Sequence, residues 1–214
     1  MTALLLGSIS AVADTSELQR QAFNRAFTEH GLDWRWDREE YRSLLGTNGG
    51  RDRVAAYAAE RGEDVDAEAV HATKSRLFRE SLADGVEPRA GVMETVAAAR
   101  EKGVKVALVT TTSPENVAAL LDALPELSAD DLDLVVDATH VEVPKPDPAV
   151  YAYAMKRLGE LPEDCVAVED NPGGLTAATV AGVRCIAFPN ANTAALEFPG
   201  AERTVDHLTA DLVA

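Results

Sequence analysis

Two hydrophobic rhythms divide the chain. Nearly unbroken apolar runs lie at residues 3–6, 104–109, 132–136, 165–168 and 183–188. Runs this short, with little polar face, predict strands covered on both sides in a parallel sheet. Elsewhere apolar positions recur every three or four residues. Leu18, Ala22, Phe23 and Ala26 share one helix face; Val54, Tyr57 and Ala58 repeat the spacing, and Val70, Leu77 and Leu82 repeat it more loosely. All of these fall within residues 14–84, where no strand is predicted.

Polar and glycine positions punctuate the pattern. Asp14 reads as the N-cap of a helix beginning near Thr15. Gly103 and Gly182 close helices predicted over residues 92–102 and 173–181. Ser113-Pro114 and Asp147-Pro148 each place a polar cap before a proline at the first helical position. Asn171-Pro172-Gly173-Gly174 reads as a tight turn into the next helix. Strands and helices alternating after residue 91 predict an α/β fold, a Rossmann-like doubly wound parallel sheet with right-handed crossovers. The expected division is an α/β core of residues 1–13 and 85–214, interrupted by a helical cap of residues 14–84. Such sheets bind ligands at the carboxyl ends of their strands, which singles out residues 7–10, 110–113, 144–146 and 169–172.

Composition narrows the classes. The chain has 214 residues, 46% of them hydrophobic, enough for one large domain or a core with a smaller insertion. No apolar run approaches the about 20 residues of a membrane span. No basic stretch precedes the first apolar run, so no secretory signal is expected. Thirty-six acids against 20 bases give a net charge of −16, which argues against general nucleic-acid or anionic-membrane binding. Lysine occurs only at 74, 102, 105, 145 and 156, a shortage that suits a salt-tolerant host and a high-GC genome equally. Cys165 and Cys185, beside predicted strands, read as buried free thiols in a reducing cytoplasm.

The predicted strand ends carry chemistry. The hydroxyls and amides of Thr110-Thr111-Thr112 suit an anionic oxygen. Lys145, held between Pro144 and Pro146, is placed to neutralise a phosphate. The adjacent carboxylates of Glu169 and Asp170 suit Mg²⁺. Alone, each has an ordinary explanation as a helix cap or a solvated side chain. Their shared position at strand ends makes the set specific.

In that order and position the groups resemble the haloacid dehalogenase superfamily. The resemblance spans essentially the whole chain. Thr110 matches the second motif, Lys145 the third, and Glu169 and Asp170 the fourth. The helical insertion resembles the cap of the β-phosphoglucomutase-like branch. Gln21-Ala22-Phe23-Asn24-Arg25-Ala26-Phe27, Gly49-Gly50-Arg51-Asp52-Arg53, Arg89-Ala90-Gly91-Val92 and the Thr110–Asn116 stretch are similar to CbbY-like sugar-phosphate phosphatases. The resemblance implies Thr110, Thr111 and Lys145 as phosphate ligands, and Glu169 and Asp170 as Mg²⁺ ligands. It makes Arg51, Arg53, Lys74 and, on the core side, Arg89 candidate ligands for a second phosphate or a sugar oxygen.

The first motif departs from that pattern. Aligning Val12-Ala13-Asp14-Thr15 with the tail of the motif puts Gly7 at the nucleophilic aspartate and Ile9 at the acid/base aspartate. Glycine cannot attack phosphorus and isoleucine cannot carry a proton. Gly7 also removes a metal ligand, so the Mg²⁺ site is expected to be weakened. Lys145 is left either free for an anion or paired with Glu169 or Asp170. Three functional readings follow. The first is a catalytically impaired relative that binds a phosphorylated sugar or a protein partner. The second is an active Mg²⁺-dependent hydrolase with a non-standard site. The third is a protein-interaction subunit.

Overall fold

A computed structural model describes residues 1–45 and 49–213. Six strands, β1 (Ala3–Leu6), β2 (Lys105–Val109), β3 (Leu134–Val136), β4 (Cys165–Glu169), β5 (Arg184–Ala187) and β6 (Arg203–Thr204), form one sheet. Every pairing is parallel, in the order β3-β2-β1-β4-β5-β6. Leu6 stands opposite Leu108 on one side and Val168 on the other. One residue further on, that register brings Gly7 beside Glu169.

Nine α-helices lie among the described residues: α1 (Ile9–Val12), α2 (Ser16–Glu29), α3 (Arg38–Leu44), α4 (Gly50–Arg61), α5 (Ala67–Leu82), α6 (Val92–Glu101), α7 (Pro114–Asp122), α8 (Ala149–Leu158) and α9 (Pro172–Val180). Strand residues alternate between two apolar layers, as a period of two requires. Leu4, Leu6, Val106, Leu108, Val166 and Val168 join Val92 and Val96 of α6 and Leu120 of α7. Leu5, Ala107, Val109, Cys165 and Ala167 join Val150, Tyr151 and Ala154 of α8 and Leu175 of α9. The chain changes sheet face between β1 and β4, the switch point where doubly wound sheets open a crevice. Cys165 and Cys185 are both buried and unpaired. No helix among the described residues is long and apolar enough to cross a membrane.

The segment between β1 and α6 holds helices and loops and no strand among its described residues. Helices α2 and α5 pack together, and α2 turns Phe23 and Phe27 onto an aromatic cluster. Ring centroids of Phe27 and Trp36 lie 4.7 Å apart, those of Phe23 and Trp36 4.9 Å, and those of Trp34 and Tyr57 5.0 Å. Each tilted or edge-on pair contributes about 0.5–1.5 kcal/mol beyond the area it buries. The Trp36 backbone is pinned as well: its N–H donates to Asn24 Oδ1 (2.8 Å) and its carbonyl accepts from Arg20 (2.6 Å).

Several local expectations need correction. Thr15, not Asp14, is the N-cap residue of α2. Asp14 still serves that helix, accepting from the Ser16 amide (3.1 Å) and hydroxyl (2.6 Å). Asn171 is the N-cap of α9 and accepts from Gly174 N–H (2.9 Å), so Pro172-Gly173-Gly174 is the first helical turn and not a turn ahead of it. Pro148 is the cap position of α8, and Asp147 accepts from the Ala149 amide (2.9 Å). Helix α1 and strand β6 had no signal in the periodicity.

Candidate functional site

A cleft of about 550 Å³ opens above the carboxyl ends of β1, β2 and β4, between the sheet and helices α2, α4 and α5. Its floor begins at Gly7, where β1 ends. Beyond it, Ser8 caps α1 by accepting from Ala11 N–H (2.8 Å), which carries Ile9 and Ser10 along the cleft wall. Thr110, Thr111 and Thr112 follow β2 and also line the cleft. Thr110 is buried, and its hydroxyl accepts from Thr112 N–H (3.2 Å), holding the loop in a tight bend.

Lys145 reaches the floor from the loop before α8. Its ammonium donates to the carbonyls of Gly7 and Val109 (the latter at 2.8 Å) and to Glu169 Oε1 (2.6 Å). All three N–H donors are therefore used inside the protein. Of the two roles open to Lys145, the geometry is that of the paired one. Glu169 is fully buried and also accepts from the Tyr151 hydroxyl (2.6 Å). Burial pushes the Glu169 carboxyl above the usual range, against the pull of Lys145. Burial and the neighbouring Glu169 push the Tyr151 phenol up in turn.

Asp170 faces the cleft but is equally engaged. Oδ1 accepts from the Ser8 hydroxyl (2.7 Å) and the Asn171 amide (2.9 Å), and Oδ2 accepts from the Asn190 amide (2.5 Å). This arrangement does not fit Mg²⁺, which needs oxygens with free lone pairs converging on one open point. Asp170 meets hydrogen-bond donors on both oxygens. Glu169 Oε1 meets two more, while Oε2 has no hydrogen-bond partner and lies against Gly174 of α9, away from the cleft lining. No group of three or more His, Cys, Asp or Glu suited to a metal occurs among the described residues.

The roof is basic. Lys74, on α5, is buried and donates to Gln19 Oε1 (2.7 Å), with its ammonium 5.0 Å from the Phe23 ring centroid and 5.1 Å from that of Phe78. Burial, with the charge of Arg53 beside it, pulls its pKa down to about 7 despite those rings. Arg53, on α4, is buried too; it donates to the Leu44 carbonyl (3.0 Å) and lies over the rings of Tyr41 and Phe23. His71 lies one helical turn before Lys74, and burial together with the charge of Lys74 lowers its pKa to about 4. Arg51 differs from these. Its side chain is 59% exposed and pairs with Asp52 (2.9 Å) and Glu68 (3.7 Å) at the rim.

Arg89 is not brought to the cleft. Its guanidinium stacks on the Phe188 ring, 3.3 Å from the centroid, and donates to the carbonyls of Ser10 (3.0 Å), Phe188 (2.7 Å) and Pro189 (2.6 Å). It fastens the loop after β5, from which Asn190 reaches Asp170. That loop lies at a strand's carboxyl end, so the rule that singled out the other four ends applies to it as well. Tyr151 and Gly174 carried no such signal, because they reach Glu169 only through helix packing. His71 was legible in principle, three residues before Lys74 on the same helix face.

The family model for haloacid dehalogenase-like hydrolases matches residues 4–182. Protein CbbY of Cereibacter sphaeroides is 39% identical over 209 residues, covering 95% of this chain and 91% of that protein. The crystal structure of CbbY from Rhodobacter sphaeroides in complex with phosphate superposes with a TM-score of 0.90 at 38% identity, covering 99% of this chain and 96% of that one. A variant of the same protein in complex with xylulose 1,5-bisphosphate gives 0.89 at 38% identity, with 97% and 94% covered. With the family model matching most of the chain and relatives of this identity covering nearly all of it, this chain belongs to the haloacid dehalogenase-like hydrolase family.

Proposed function

We propose that this chain is a catalytically impaired relative of the sugar-phosphate phosphatases, and that its cleft binds a phosphorylated sugar. The observation that carries the reading is the floor of the cleft. Gly7 and Ile9 stand where the family's chemistry needs two aspartates, and the groups around them are spent on one another. Loss of a covalent nucleophile typically costs about 10⁴- to 10⁶-fold in rate. Family membership by itself says nothing about what remains.

Binding rests on different groups. Arg53 and Lys74 give the roof of the cleft buried positive charge suited to a phosphate, and Arg51 adds an exposed charge at its rim. Thr110 and Thr111 offer neutral partners for ligand oxygens beside the floor. That relatives have been crystallised with phosphate and with xylulose 1,5-bisphosphate supports a ligand of this class. In this reading residues 1–13 and 85–214 form the core, residues 14–84 form the cap that closes over the ligand, and the protein works in the cytoplasm.

The test pairs turnover with binding. Phosphate release from an aryl phosphate and a panel of sugar mono- and bisphosphates is measured with Mg²⁺, beside calorimetric titration with the same sugars. The expected result is release at background and saturable binding of at least one sugar phosphate. Turnover within the ordinary range of about 1–10³ s⁻¹ overturns the impaired reading. Absence of binding across the panel overturns the phosphosugar reading and leaves a protein partner as the alternative.

A further inference from the structure

The packing around Glu169 depends on two missing side chains. A Cβ built on Gly7 would lie 2.3 Å from both Cδ and Oε1 of Glu169 and 2.5 Å from the Tyr151 hydroxyl. On the far side, a Cβ on Gly174 would lie 2.1 Å from Glu169 Oε2. Neither glycine is needed for backbone conformation, since neither has a positive φ. Their role is spatial. The Glu169 carboxyl lies in a slot between the end of β1 and the first turn of α9, and Gly7 keeps one wall of that slot open.

Charge balance follows the same lines. A lysine ammonium buried at the floor needs an anionic partner. Residue 7 has no side chain, and Asp170 is taken up by Ser8, Asn171 and Asn190. Among the described residues, Glu169 alone reaches Lys145 with a carboxylate oxygen. Its unpartnered Oε2 lies at the amino-terminal turn of α9, where the helix dipole favours negative charge. The floor therefore pairs its one ammonium with Glu169 and solvates the Asp170 carboxylate with a hydroxyl and two amides.

We infer that Glu169 is an internal carboxylate substituting for the side chain absent at Gly7, and that this substitution closes the floor as an internally hydrogen-bonded centre that takes up no Mg²⁺. The carboxylate that would be a metal ligand is instead the counter-ion of Lys145. A side chain at position 7 and the present position of Glu169 exclude one another. The inference holds whether or not the cleft binds a phosphosugar, because it concerns the floor alone.

The experiment moves the carboxylate within the full-length protein and reads stability. Gly7→Asp is made in the natural background and in a Glu169→Ala background, and all four proteins are melted. In the natural background the added side chain collides with Glu169, and the melting temperature falls. In the Glu169→Ala background the hole is vacant and Lys145 lacks a partner, so the same Gly7→Asp change raises the melting temperature. The expected rise is about 10 °C over Glu169→Ala alone. A Gly7→Asp effect of the same sign in both backgrounds overturns the inference. If Gly7→Asp alone does not fold, the two Glu169→Ala proteins still decide: rescue supports the substitution, and no rescue overturns it. The natural protein is also titrated with millimolar Mn²⁺ by paramagnetic resonance and melted with Mg²⁺ or EDTA. No binding and unchanged melting are expected. Saturable Mn²⁺ binding that disappears in Asp170→Ala overturns the closed floor.

Discussion

The floor and the roof of the cleft each bury a lysine and treat it in opposite ways. On the floor, Lys145 is wrapped by two carbonyls and Glu169, and Asp170 by three donors. In the roof, Lys74 lies between two aromatic rings with one neutral amide as its hydrogen-bond partner. Both lysines are buried, yet only the floor gives its lysine a buried carboxylate. A buried charge without a counter-ion costs stability, and in the proposed reading a ligand's phosphate supplies the counter-ion that the roof does not give Lys74. In the proposed reading, the impaired chemistry and the binding of the ligand fall in separate halves of one cleft.

The largest expected effect breaks the floor. Lys145→Ala leaves Glu169 buried without its cation, and the Lys145 side chain is as tightly held as any in the site. Stability should fall by about 3–5 kcal/mol, measured by chemical denaturation. A loss below about 1 kcal/mol, the level of an exposed pair, would show that the floor is not a closed pair and that the contrast with the roof is false.

A smaller effect sharpens the roof. Lys74 titrates near pH 7 through burial and the nearby Arg53. His71, lowered to about 4, is already neutral there, and Arg51 and Arg53 stay charged. Above pH 7 a sugar phosphate is fully dianionic, its second pKa being about 6, so the ligand contributes no further change. Affinity should therefore fall as pH rises from 7 to 9, by up to about tenfold per unit if one proton is required. The unliganded protein should move the other way. The folded pKa of Lys74 lies below its unfolded value, so the unfolded chain binds more protons between the two, and stability rises with pH across that window. Lys74→Met should flatten both slopes. An affinity slope that survives in Lys74→Met places the titrating group elsewhere.

What the sequence disclosed about these halves follows from how each is built. The strands β1, β2, β4 and β5 were legible because burial on both faces leaves an unbroken apolar run. Strand β6 was not, since Arg203 and Thr204 are both exposed and pair along a single edge. On the floor, Gly7, Thr110, Lys145, Glu169 and Asp170 were visible because strand ends converge by topology. Their pairing was not visible. It depends on Tyr151 and Gly174, which approach Glu169 from two different helices, and on a 2.3 Å conflict that exists only in three dimensions. In the roof, the bases could be named from sequence, but nothing there separated Arg51 from Lys74. Burial does, and it sets the last test.

Arg51 and Lys74 both line the cleft, and both carry the charge expected of a phosphate ligand. Arg51, however, is mostly in water and is already paired with Asp52 and Glu68. An exposed pair of this kind contributes roughly 0–1 kcal/mol and is screened by salt. Arg51→Ala should therefore change stability by less than about 0.5 kcal/mol and lower sugar-phosphate affinity by no more than about threefold at physiological ionic strength. Its effect should appear mainly in the association rate, and it should vanish at high salt. Lys74→Met, by contrast, removes a desolvated donor, whose hydrogen bonds are worth about 1.5–3 kcal/mol, and its loss should persist in salt. Titration of both variants at low and high ionic strength separates the two behaviours. If Arg51→Ala costs as much as Lys74→Met at high salt, the rim closes over the ligand on binding, and burial in the free protein is the wrong guide to which bases hold it.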